Sequence, residues 1–476
     1  MKRTALIIGL SLLCMSCHFK PRATWVTTAD GDVWHEQPEL IAASVDSIPS
    51  VDVTIHTEKR QQQIDGFGAC FNELGWISLS KLSPESREKI MEELFFPDFG
   101  ANFNICRMPV GANDFSRDWY SYNETDSDFV MSDFTIANDV QTLVPFIKNA
   151  QKYNPDLKIW ASPWCPPSWM KYNKHYASAY TDENVDPKYR NGLPKEEVGH
   201  EGTDMFVQDS SYLQAYALYF SKFISAYKEK NIPIFAVMPQ NEFNSAQVFP
   251  SCCWKSSSLA NFIGKYLGPA MKKQDVDVMF GTVERANEAL VDTVLTDPEA
   301  AKYVTGVAFQ WAGKGAVSGI HKRYPKMKLY QSEQECGNGK NDWQGAFYSW
   351  NLMRTYFDGG VSAYMYWNIS LEKGGISRWG WAQNSLVVVD PASKSFVFTP
   401  EYYVMKHLSH YVAAGAYKVA TSGNFNNLLA FVNHDGSVVV AMANENDAPQ
   451  KLKIRIEGRV YQPVLPAHSI TTLFVD

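Results

Sequence analysis

Two glutamates at the ends of strand-like apolar runs are the candidates for chemistry. Glu242 follows Asn241 at the end of the run that begins at Ile234, and Glu333 ends the run Lys328–Glu333. Two carboxyl groups that face each other can hydrolyse a glycosidic bond, because one attacks the anomeric carbon while the other protonates the leaving oxygen. Either acid alone would more simply cap a helix or solvate a loop. As a pair at two strand ends, they predict a glycosidase site.

The second carboxylate has a competitor in Glu335, which lies beyond Glu333 in the loop expected to follow the strand. Glu333 is favoured because it falls at the strand end. Asn241, beside Glu242, could hydrogen-bond the 2-hydroxyl of a bound sugar. Arg107 could hold the nucleophilic carboxylate ionised and oriented. A purely structural ion pair explains Arg107 equally well.

Eight strand-like runs alternate with helical stretches up to about residue 390. This alternation predicts a closed (β/α)8 barrel, whose active sites lie at the carboxyl ends of the strands. An open doubly wound sheet is the alternative, but it usually brings a glycine-rich phosphate turn, and neither G-x-G-x-x-G nor G-x-x-x-x-G-K-[ST] occurs. The predicted strands are Gly66–Phe71, Phe103–Val110, Lys158–Trp164, Ile234–Glu242, Asp277–Glu284, Gly306–Trp311, Lys328–Glu333 and Ala363–Asn368.

Alternating β patterns flank the predicted barrel on both sides. One lies near residues 51–55, and several follow residue 395, so we expect one β-sandwich built from both ends of the chain. The predicted domains are a linker and N-terminal sandwich strands at 18–64, the barrel at 65–395 and the C-terminal sandwich at 396–476. Residues 18 to about 35 are interpreted as the linker.

The first residues resemble a bacterial export signal. Two basic residues precede the apolar run Ala5–Met15, which is too short to span a bilayer. Residues 1–17 fit a lipoprotein signal with Cys17 as the lipidated residue and Cys14 as the weaker alternative. An ordinary cleaved signal peptide is the other interpretation. In both cases we expect an exported protein in the periplasm or at the outer membrane or cell surface, with any membrane attachment through the lipid alone.

Composition argues against several function classes. The net charge is −7 and no basic stripe occurs, so nothing predicts a nucleic-acid partner. His407 and His410 are closely spaced, but we interpret them as part of a helix packing face rather than as metal ligands. We therefore expect no metal and no cofactor. The 14 Trp, 24 Tyr and 27 Phe could supply aromatic faces for sugar rings.

Seven short motifs follow one another between about residue 66 and the C-terminus. They are Gly66-Phe67-Gly68, Arg107-Met108-Pro109, Asn113-Asp114-Phe115-Ser116, Ser162-Pro163-Trp164, Asn241-Glu242, Leu295–Val304 and Ser332-Glu333. In order and spacing they resemble the glucocerebrosidase-type enzymes of glycoside hydrolase family 30. The resemblance implies a (β/α)8 barrel fused to a β-sandwich and retaining hydrolysis of β-glycosides. It makes Glu242 the acid/base and Glu333 the nucleophile.

Further residues acquire roles from the same resemblance. Asp114 matches the carboxylate that binds equatorial hydroxyls of the glucose in the −1 subsite, and Trp164 is expected to line that pocket. Trp367 matches an aromatic residue of the eighth strand, and Asn384 matches a polar contact in the loop after it. Packing within the core is the alternative for both tryptophans.

Two strand ends depart from the family pattern. Gln310 precedes Trp311 where glucocerebrosidase has a histidine, and the fifth run ends at Glu284 where glucocerebrosidase is more acidic. Both ends are expected to face the outer pocket, so leaving-group specificity stays open. An exported bacterial protein favours β-1,6-glucan as the substrate, with glucosylceramidase-like or exo-β-glucosidase activity as the alternative. A carbohydrate-binding protein without catalysis is the rival class, against which the two carboxylates argue.

Overall fold

The computed structural model describes residues 22–48 and 50–476. The predicted lipidation site Cys17 and its alternative Cys14 lie outside these ranges. Within them, no helix combines the length and the apolar character that crossing a membrane requires.

The described residues are almost purely β at both ends, and strands alternate with helices between them. The strands are β1 (Arg22–Ala29), β2 (Asp32–Ile41), β3 (Ala43–Ser44), β4 (Val53–Gln63), β5 (Gly66–Cys70), β6 (Ile105–Pro109), β7 (Lys158–Ser162), β8 (Ile234–Val237), β9 (Asp277–Val283), β10 (Val304–Gln310), β11 (Lys328–Glu333), β12 (Ala363–Asn368), β13 (Ser370–Glu372), β14 (Val387–Asp390), β15 (Ser395–Phe398), β16 (Tyr417–Gly423), β17 (Leu428–Val432), β18 (Val438–Asn444), β19 (Gln450–Lys451), β20 (Ile454–Ile456), β21 (Arg459–Tyr461), β22 (Val464–Leu465) and β23 (Ser469–Val475). The α-helices are α1 (Glu73–Leu79), α2 (Pro84–Phe95), α3 (Leu143–Tyr153), α4 (Ser210–Glu229), α5 (Ser256–Phe262), α6 (Gly268–Lys272), α7 (Glu288–Leu295), α8 (Val317–Arg323), α9 (Trp343–Gly359) and α10 (Pro400–Ser409).

Eight parallel strands close into a barrel in the order β10-β11-β12-β5-β6-β7-β8-β9. Each strand overlaps one of the eight runs predicted from the sequence, so the predicted (β/α)8 barrel is confirmed. The runs are nearly continuous apolar stretches because side chains fill the barrel inside and helices cover it outside. Closure explains Gly68 in β5, since a Cβ there would lie 1.9 Å from the carbonyl oxygen of Ile105 in β6.

The β-sandwich domain contains strands from both ends of the chain, as predicted. Its ten-stranded sheet has the order β2-β1-β23-β18-β17-β16-β4-β20-β21-β3, and it has an apolar core of its own around Val440 and Leu473. The expectation of a linker up to about residue 35 is wrong, because β1 and β2 occupy residues 22–29 and 32–41. The physical reason is the β-branched run in β1, which suits a pleated strand and pairs along its length with β23.

Helix α10 connects the two domains. It begins beyond residue 395, where the sequence places the end of the barrel, and it packs against α9 on the barrel side and against β23 on the sandwich side. The junction between the domains is therefore a shared packed helix.

His407 of α10 lies in this junction and is fully buried. Its Nδ1 lies 2.9 Å from Thr472 Oγ1 and its Nε2 lies 2.9 Å from Thr28 Oγ1. Because the Thr472 hydroxyl donates to the His407 carbonyl oxygen, it accepts from the ring, so Nδ1 carries the proton. Burial lowers the pKa of His407 to about 3, and the neighbouring Lys406 charge adds to this effect. The imidazole is thus neutral in the folded protein.

The histidine pair has a packing geometry. Both ring nitrogens of His407 face threonine hydroxyls, and His410 Nδ1 lies 2.8 Å from the carbonyl oxygen of Gly100. In residues 22–48 and 50–476, no group of three or more His, Cys, Asp or Glu side chains is arranged to hold a metal ion. These contacts connect α10 to the sandwich and to the barrel.

The neutral imidazole of His407 makes the junction sensitive to acid. Its folded pKa lies below its unfolded pKa, so the unfolded state binds the proton more tightly and stability falls as the pH drops below about 6.5. We predict that the difference in unfolding free energy between the wild type and His407→Gln shrinks by about 3 kcal/mol between pH 7 and pH 4. Denaturant titrations at both pH values measure it. The exposed His200→Gln variant is the control, and a constant difference for His407→Gln would refute the assignment.

Candidate active site

A cavity of about 430 Å³ lies at the carboxyl ends of the barrel strands, and both candidate catalytic glutamates line it. Its volume is within the range of small-molecule sites in proteins. Three of the predicted sugar-binding residues also line it, so the barrel brings together residues from distant parts of the chain. The lining residues are Asp114, Trp164, Asn241, Glu242, Ser245, Gln247, Phe249, Glu284, Arg285, Trp311, Ala312, Glu333, Trp381 and Gln383.

The structure separates the two candidates for the second carboxylate. Glu333 ends β11 and lines the cavity with a side chain that is only 6% exposed. Glu335 is not among the lining residues, and its carboxylate accepts hydrogen bonds from Lys314 and Tyr348. The geometry therefore favours Glu333 as the partner of Glu242.

The guanidinium of Arg107 is fully buried beneath the cavity and bonded to several strand ends. Its Nη1 donates to Glu333 Oε2 at 2.9 Å, and its Nη2 donates to Asn241 Oδ1 at 2.7 Å and to Ser162 Oγ at 2.8 Å. The Trp164 ring lies over the guanidinium, with 4.3 Å between Cζ and the ring centroid. A buried charge without these partners would be strongly destabilising, so Arg107 both fixes the site and holds a negative charge at Glu333.

Gln310 bridges the two carboxylates. Its Nε2 lies 3.1 Å from Glu242 Oε1 and 3.2 Å from Glu333 Oε2. These two oxygens are therefore at most about 6.3 Å apart, just below the roughly 6.5–9.5 Å between the carboxyl groups of inverting glycosidases. The expectation that Gln310 faces the outer pocket is wrong, because barrel closure places the last residue of β10 between the acids.

Glu242 lies just beyond β8 in a segment fixed from both neighbouring strands. Strand β8 ends at Val237, earlier than the predicted run. The backbone N–H of Asn241 donates to the carbonyl oxygen of Pro163 at 2.7 Å, and the backbone N–H of Glu242 donates to Thr282 Oγ1 at 2.9 Å. These bonds hold Glu242 at a φ of 46°, in the left-handed region that residues other than glycine seldom adopt. Such local strain is typical of functional sites.

The orientation of the Asn241 side chain follows from its acceptors and donors. Its Oδ1 accepts from Arg107 Nη2 at 2.7 Å, from Thr282 Oγ1 at 3.0 Å and from Gln310 Nε2 at 3.1 Å. The carbonyl group therefore faces into the protein. The amide nitrogen is left to donate toward the cavity, where a sugar hydroxyl would lie.

The two carboxyl groups differ in what stabilises their charge. Burial raises the pKa of both. At Glu333, the guanidinium of Arg107 is the strongest opposing influence, and the indole of Trp311 also donates to the carboxylate. At Glu242, the strongest opposing contact is the neutral amide of Gln310. The ion pair with Arg107 therefore favours a negative charge at Glu333, whereas the hydrogen bonds to the Glu242 carboxyl group come from the neutral amides of Gln310 and Gln247.

Asp114 lies in the loop after β6 and is 6% exposed. Its Oδ1 is buried and has no hydrogen-bond partner among the described residues. Burial raises the pKa of Asp114, and the negative charge of Glu333 raises it further. An unpaired buried carboxyl oxygen is costly, and a bound sugar hydroxyl would supply the missing partner.

The two predicted pocket tryptophans occupy different positions. Trp164 lines the cavity, whereas Trp367 lies behind it and is not among the lining residues. The two rings stack with their centroids 5.3 Å apart and an interplanar angle of 24°. Trp367 thus supports the ring that faces the cavity, in keeping with its packing alternative.

The structure does not place Asn384 in the cavity lining. Its Oδ1 accepts from the backbone amides of Gly339 and Asn341 at 2.8 and 3.2 Å, so it holds the loop after β11 in place. The preceding residue Gln383 lines the cavity. Adjacent loop residues face different ways, and the sequence alone could not distinguish the two amides.

The outer cavity contains a third carboxyl group, that of Glu284. The backbone N–H of Asn244 and the hydroxyl of Ser245 both donate to Glu284 Oε1 at 3.0 Å. Burial raises the pKa of Glu284 to about 8. Glu284 is therefore protonated at neutral pH.

Aromatic and polar side chains that the sequence did not single out complete the outer cavity. The rings of Phe249 and Trp381 lie 5.0 Å apart and form one wall. Gln247 Nε2 lies 3.3 Å from Glu242 Oε2, and Arg285 lines the same side. The tryptophan-rich segment after β12 was the available signal for this wall, but only the folded loops show which rings reach it.

Comparison with known proteins agrees with this geometry. Residues 64–188 and 194–412 match the glycosyl hydrolase family 30 TIM-barrel domain, and residues 415–473 match the glycosyl hydrolase family 30 β-sandwich domain. Together these matches span most of the chain.

Individual relatives have two different activities in their names. The mouse lysosomal acid glucosylceramidase is 28% identical over an alignment of 449 positions that covers 88% of this chain and 82% of the relative. An endo-1,6-β-D-glucanase of Aspergillus fumigatus is 26% identical over an alignment of 440 positions that covers 87% of this chain and 85% of the relative. The solved structure of the endo-β1,6-glucanase BT3312 has a TM-score of 0.80 at 23% identity, covering 95% of this chain and 99% of that one. The chain belongs to glycoside hydrolase family 30 and is a glycoside hydrolase.

Proposed function

We propose that this enzyme is a retaining β-glucosidic hydrolase in which Glu333 is the nucleophile and Glu242 the acid/base. The observation that carries the proposal is the bridge through Gln310 Nε2, which brings both carboxylates to one nitrogen. A gap this narrow leaves room for direct attack on the sugar but little for a water molecule beside it.

In the first step, Glu333 attacks the anomeric carbon of the glucose in the −1 subsite. Arg107 stabilises the ionised form of Glu333, and Glu242, which accepts hydrogen bonds from neutral amides, carries the proton. Glu242 transfers this proton to the glycosidic oxygen as the bond to the leaving group breaks. The result is a glucosyl ester on Glu333 and a neutral leaving alcohol.

In the second step, the roles of Glu242 reverse. Its carboxylate accepts a proton from water, which attacks the anomeric carbon and releases Glu333. The fixed amide nitrogen of Asn241 is placed to bind the sugar 2-hydroxyl in both transition states. Asp114 and Trp164 supply polar and aromatic contacts for the same ring.

We further propose β-1,6-glucan as the substrate. The leaving group lies beside Glu242, where Gln247, Glu284 and Arg285 offer polar partners and the Phe249–Trp381 wall offers an aromatic face. A sugar satisfies both kinds of contact. A lipid tail would leave the polar groups without partners, which costs free energy. The glucanase relative and the predicted export signal support the same choice.

Glucosylceramidase-like or exo-β-glucosidase activity is the alternative. It is favoured by the similarity to the mouse glucosylceramidase, and Trp311, which is 37% exposed, offers an apolar surface at the cavity entrance. The same two carboxylates would act in both cases, so only the leaving group differs.

Glutamine substitutions at Glu333 and at its competitor Glu335 test the assignment of the nucleophile. We predict that Glu333→Gln lowers kcat on an aryl β-glucoside by at least about a thousandfold, because an amide cannot form the glucosyl ester. Glu335→Gln should lower kcat far less. Glu401 is a buried carboxyl group outside the cavity, so Glu401→Gln should have the kcat of the wild type. Thermal unfolding verifies that each variant folds. Near-normal turnover by Glu333→Gln would reject it as the nucleophile.

A substrate panel tests the proposed leaving group. We predict that linear β-1,6-glucan is hydrolysed with a kcat/KM at least about tenfold above that for β-1,3-glucan or glucosylceramide in detergent, since one unmatched polar contact costs about this much. Chromatography of the products also distinguishes endo from exo action. Preference for glucosylceramide would favour the alternative. No hydrolysis of any β-glucoside would leave a binding function.

A further inference from the structure

Glu335 lies close to the site without lining it, and its contacts lead back to Glu333. Lys314 Nζ lies 2.6 Å from Glu335 Oε1, and the Tyr348 hydroxyl donates to Glu335 Oε2. The side chain of Glu335 is 14% exposed and that of Lys314 is 34% exposed. The pair is thus partly shielded from water.

Lys314 links this pair to Trp311. Its Nζ also donates to the carbonyl oxygen of Trp311 at 3.1 Å. Trp311 has a φ of 48°, which is strained for a bulky residue, and 37% of its surface is exposed. Packing alone therefore holds this conformation weakly, and the lysine contact is placed to fix it.

Trp311 in turn contacts the candidate nucleophile. Its Nε1 donates to Glu333 Oε1 at 3.3 Å, whereas Arg107 and Gln310 contact Oε2. The indole thus donates a hydrogen bond to the carboxylate oxygen that the guanidinium does not contact. Its position depends on the backbone of residues 311–316, the short 3-10 segment that includes Lys314.

We propose that Glu335 is a positioning residue that acts through Lys314 and Trp311 to fix the hydrogen bond donated to Glu333. The proposal rests on the proposed function, in which Glu333 is the nucleophile. Glu335 never touches the substrate in this account. It holds Lys314, Lys314 holds the strained backbone of Trp311, and the indole holds the carboxylate in its attacking orientation.

Loss of this hydrogen bond has a defined effect on the pH profile. An N–H donor stabilises the ionised form of a carboxyl group, so its loss raises the pKa of Glu333. Since Glu333 must be ionised in the free enzyme, the acidic limb of kcat/KM moves to higher pH. A surface ion pair that served stability alone would leave this limb in place.

A double-mutant cycle tests the coupling. We expect Glu335→Gln and Trp311→Phe each to lower kcat/KM on an aryl β-glucoside by about tenfold, the effect of one hydrogen bond to a charged group. Both should move the acidic limb upward. The double variant should have the same kcat/KM as Trp311→Phe alone, because that substitution already removes the hydrogen bond through which Glu335 acts. Lys314→Met should reproduce Glu335→Gln.

Glu299→Gln is the matched control, since it removes a Lys–Glu pair at 2.6 Å far from the cavity and should leave the kinetics unchanged. The positioning role would be overturned if the losses in kcat/KM of the two single variants multiplied in the double variant. It would also be overturned if Glu335→Gln lowered only the Tm and left the acidic limb of kcat/KM in place. A fully active Glu333→Gln variant would instead overturn the proposed function. The two failures are therefore distinguishable.

Discussion

The buried guanidinium of Arg107 is the constraint on which the site depends. It is inaccessible to solvent, and the desolvation of such a charge costs several kcal/mol unless a counter-charge and hydrogen bonds compensate. Glu333 provides the counter-charge, and Asn241 and Ser162 provide hydrogen bonds. Because these partners come from different strands, the barrel must be closed for Arg107 to be buried. The fold and the charge of Glu333 are thus coupled.

In the proposed mechanism, this coupling gives two similar carboxyl groups opposite tasks. Glu333 contacts a cation, whereas Glu242 contacts the neutral amides of Gln310 and Gln247. Burial penalises ionisation at both, and the ion pair with Arg107 offsets this penalty at Glu333. The remaining proton is kept at Glu242, beside the expected leaving group. Retaining hydrolysis needs this distribution of charge before the substrate binds.

The parts of the site that the sequence predicted are those tied to strand ends. Glu242, Glu333 and Arg107 are chemically distinctive residues that follow apolar runs, and a barrel directs such ends to one face. Gln310 was misplaced because an amide next to a tryptophan has no distinctive signal. Its role exists only after closure brings β10 between the two acids.

Loops and chain ends were harder to predict for related physical reasons. Asn384 and Gln383 are adjacent amides. The backbone amide of Gly339 holds the Asn384 side chain away from the cavity, whereas Gln383 lines the cavity. Residues 18 to about 35 were interpreted as a linker because Pro21 and small polar residues occur there. Their pairing with β23, at the opposite end of the chain, is a non-local contact that a local pattern does not encode.

The central claim is that the two carboxylates are close enough for direct attack by Glu333. The anomeric configuration of the first product tests it most directly. Proton NMR during the early hydrolysis of a cleaved β-glucoside should show the β-anomer first, with the α-anomer appearing later by mutarotation. Initial release of the α-anomer would mean that water attacks the glycosidic carbon directly, and it would contradict the account.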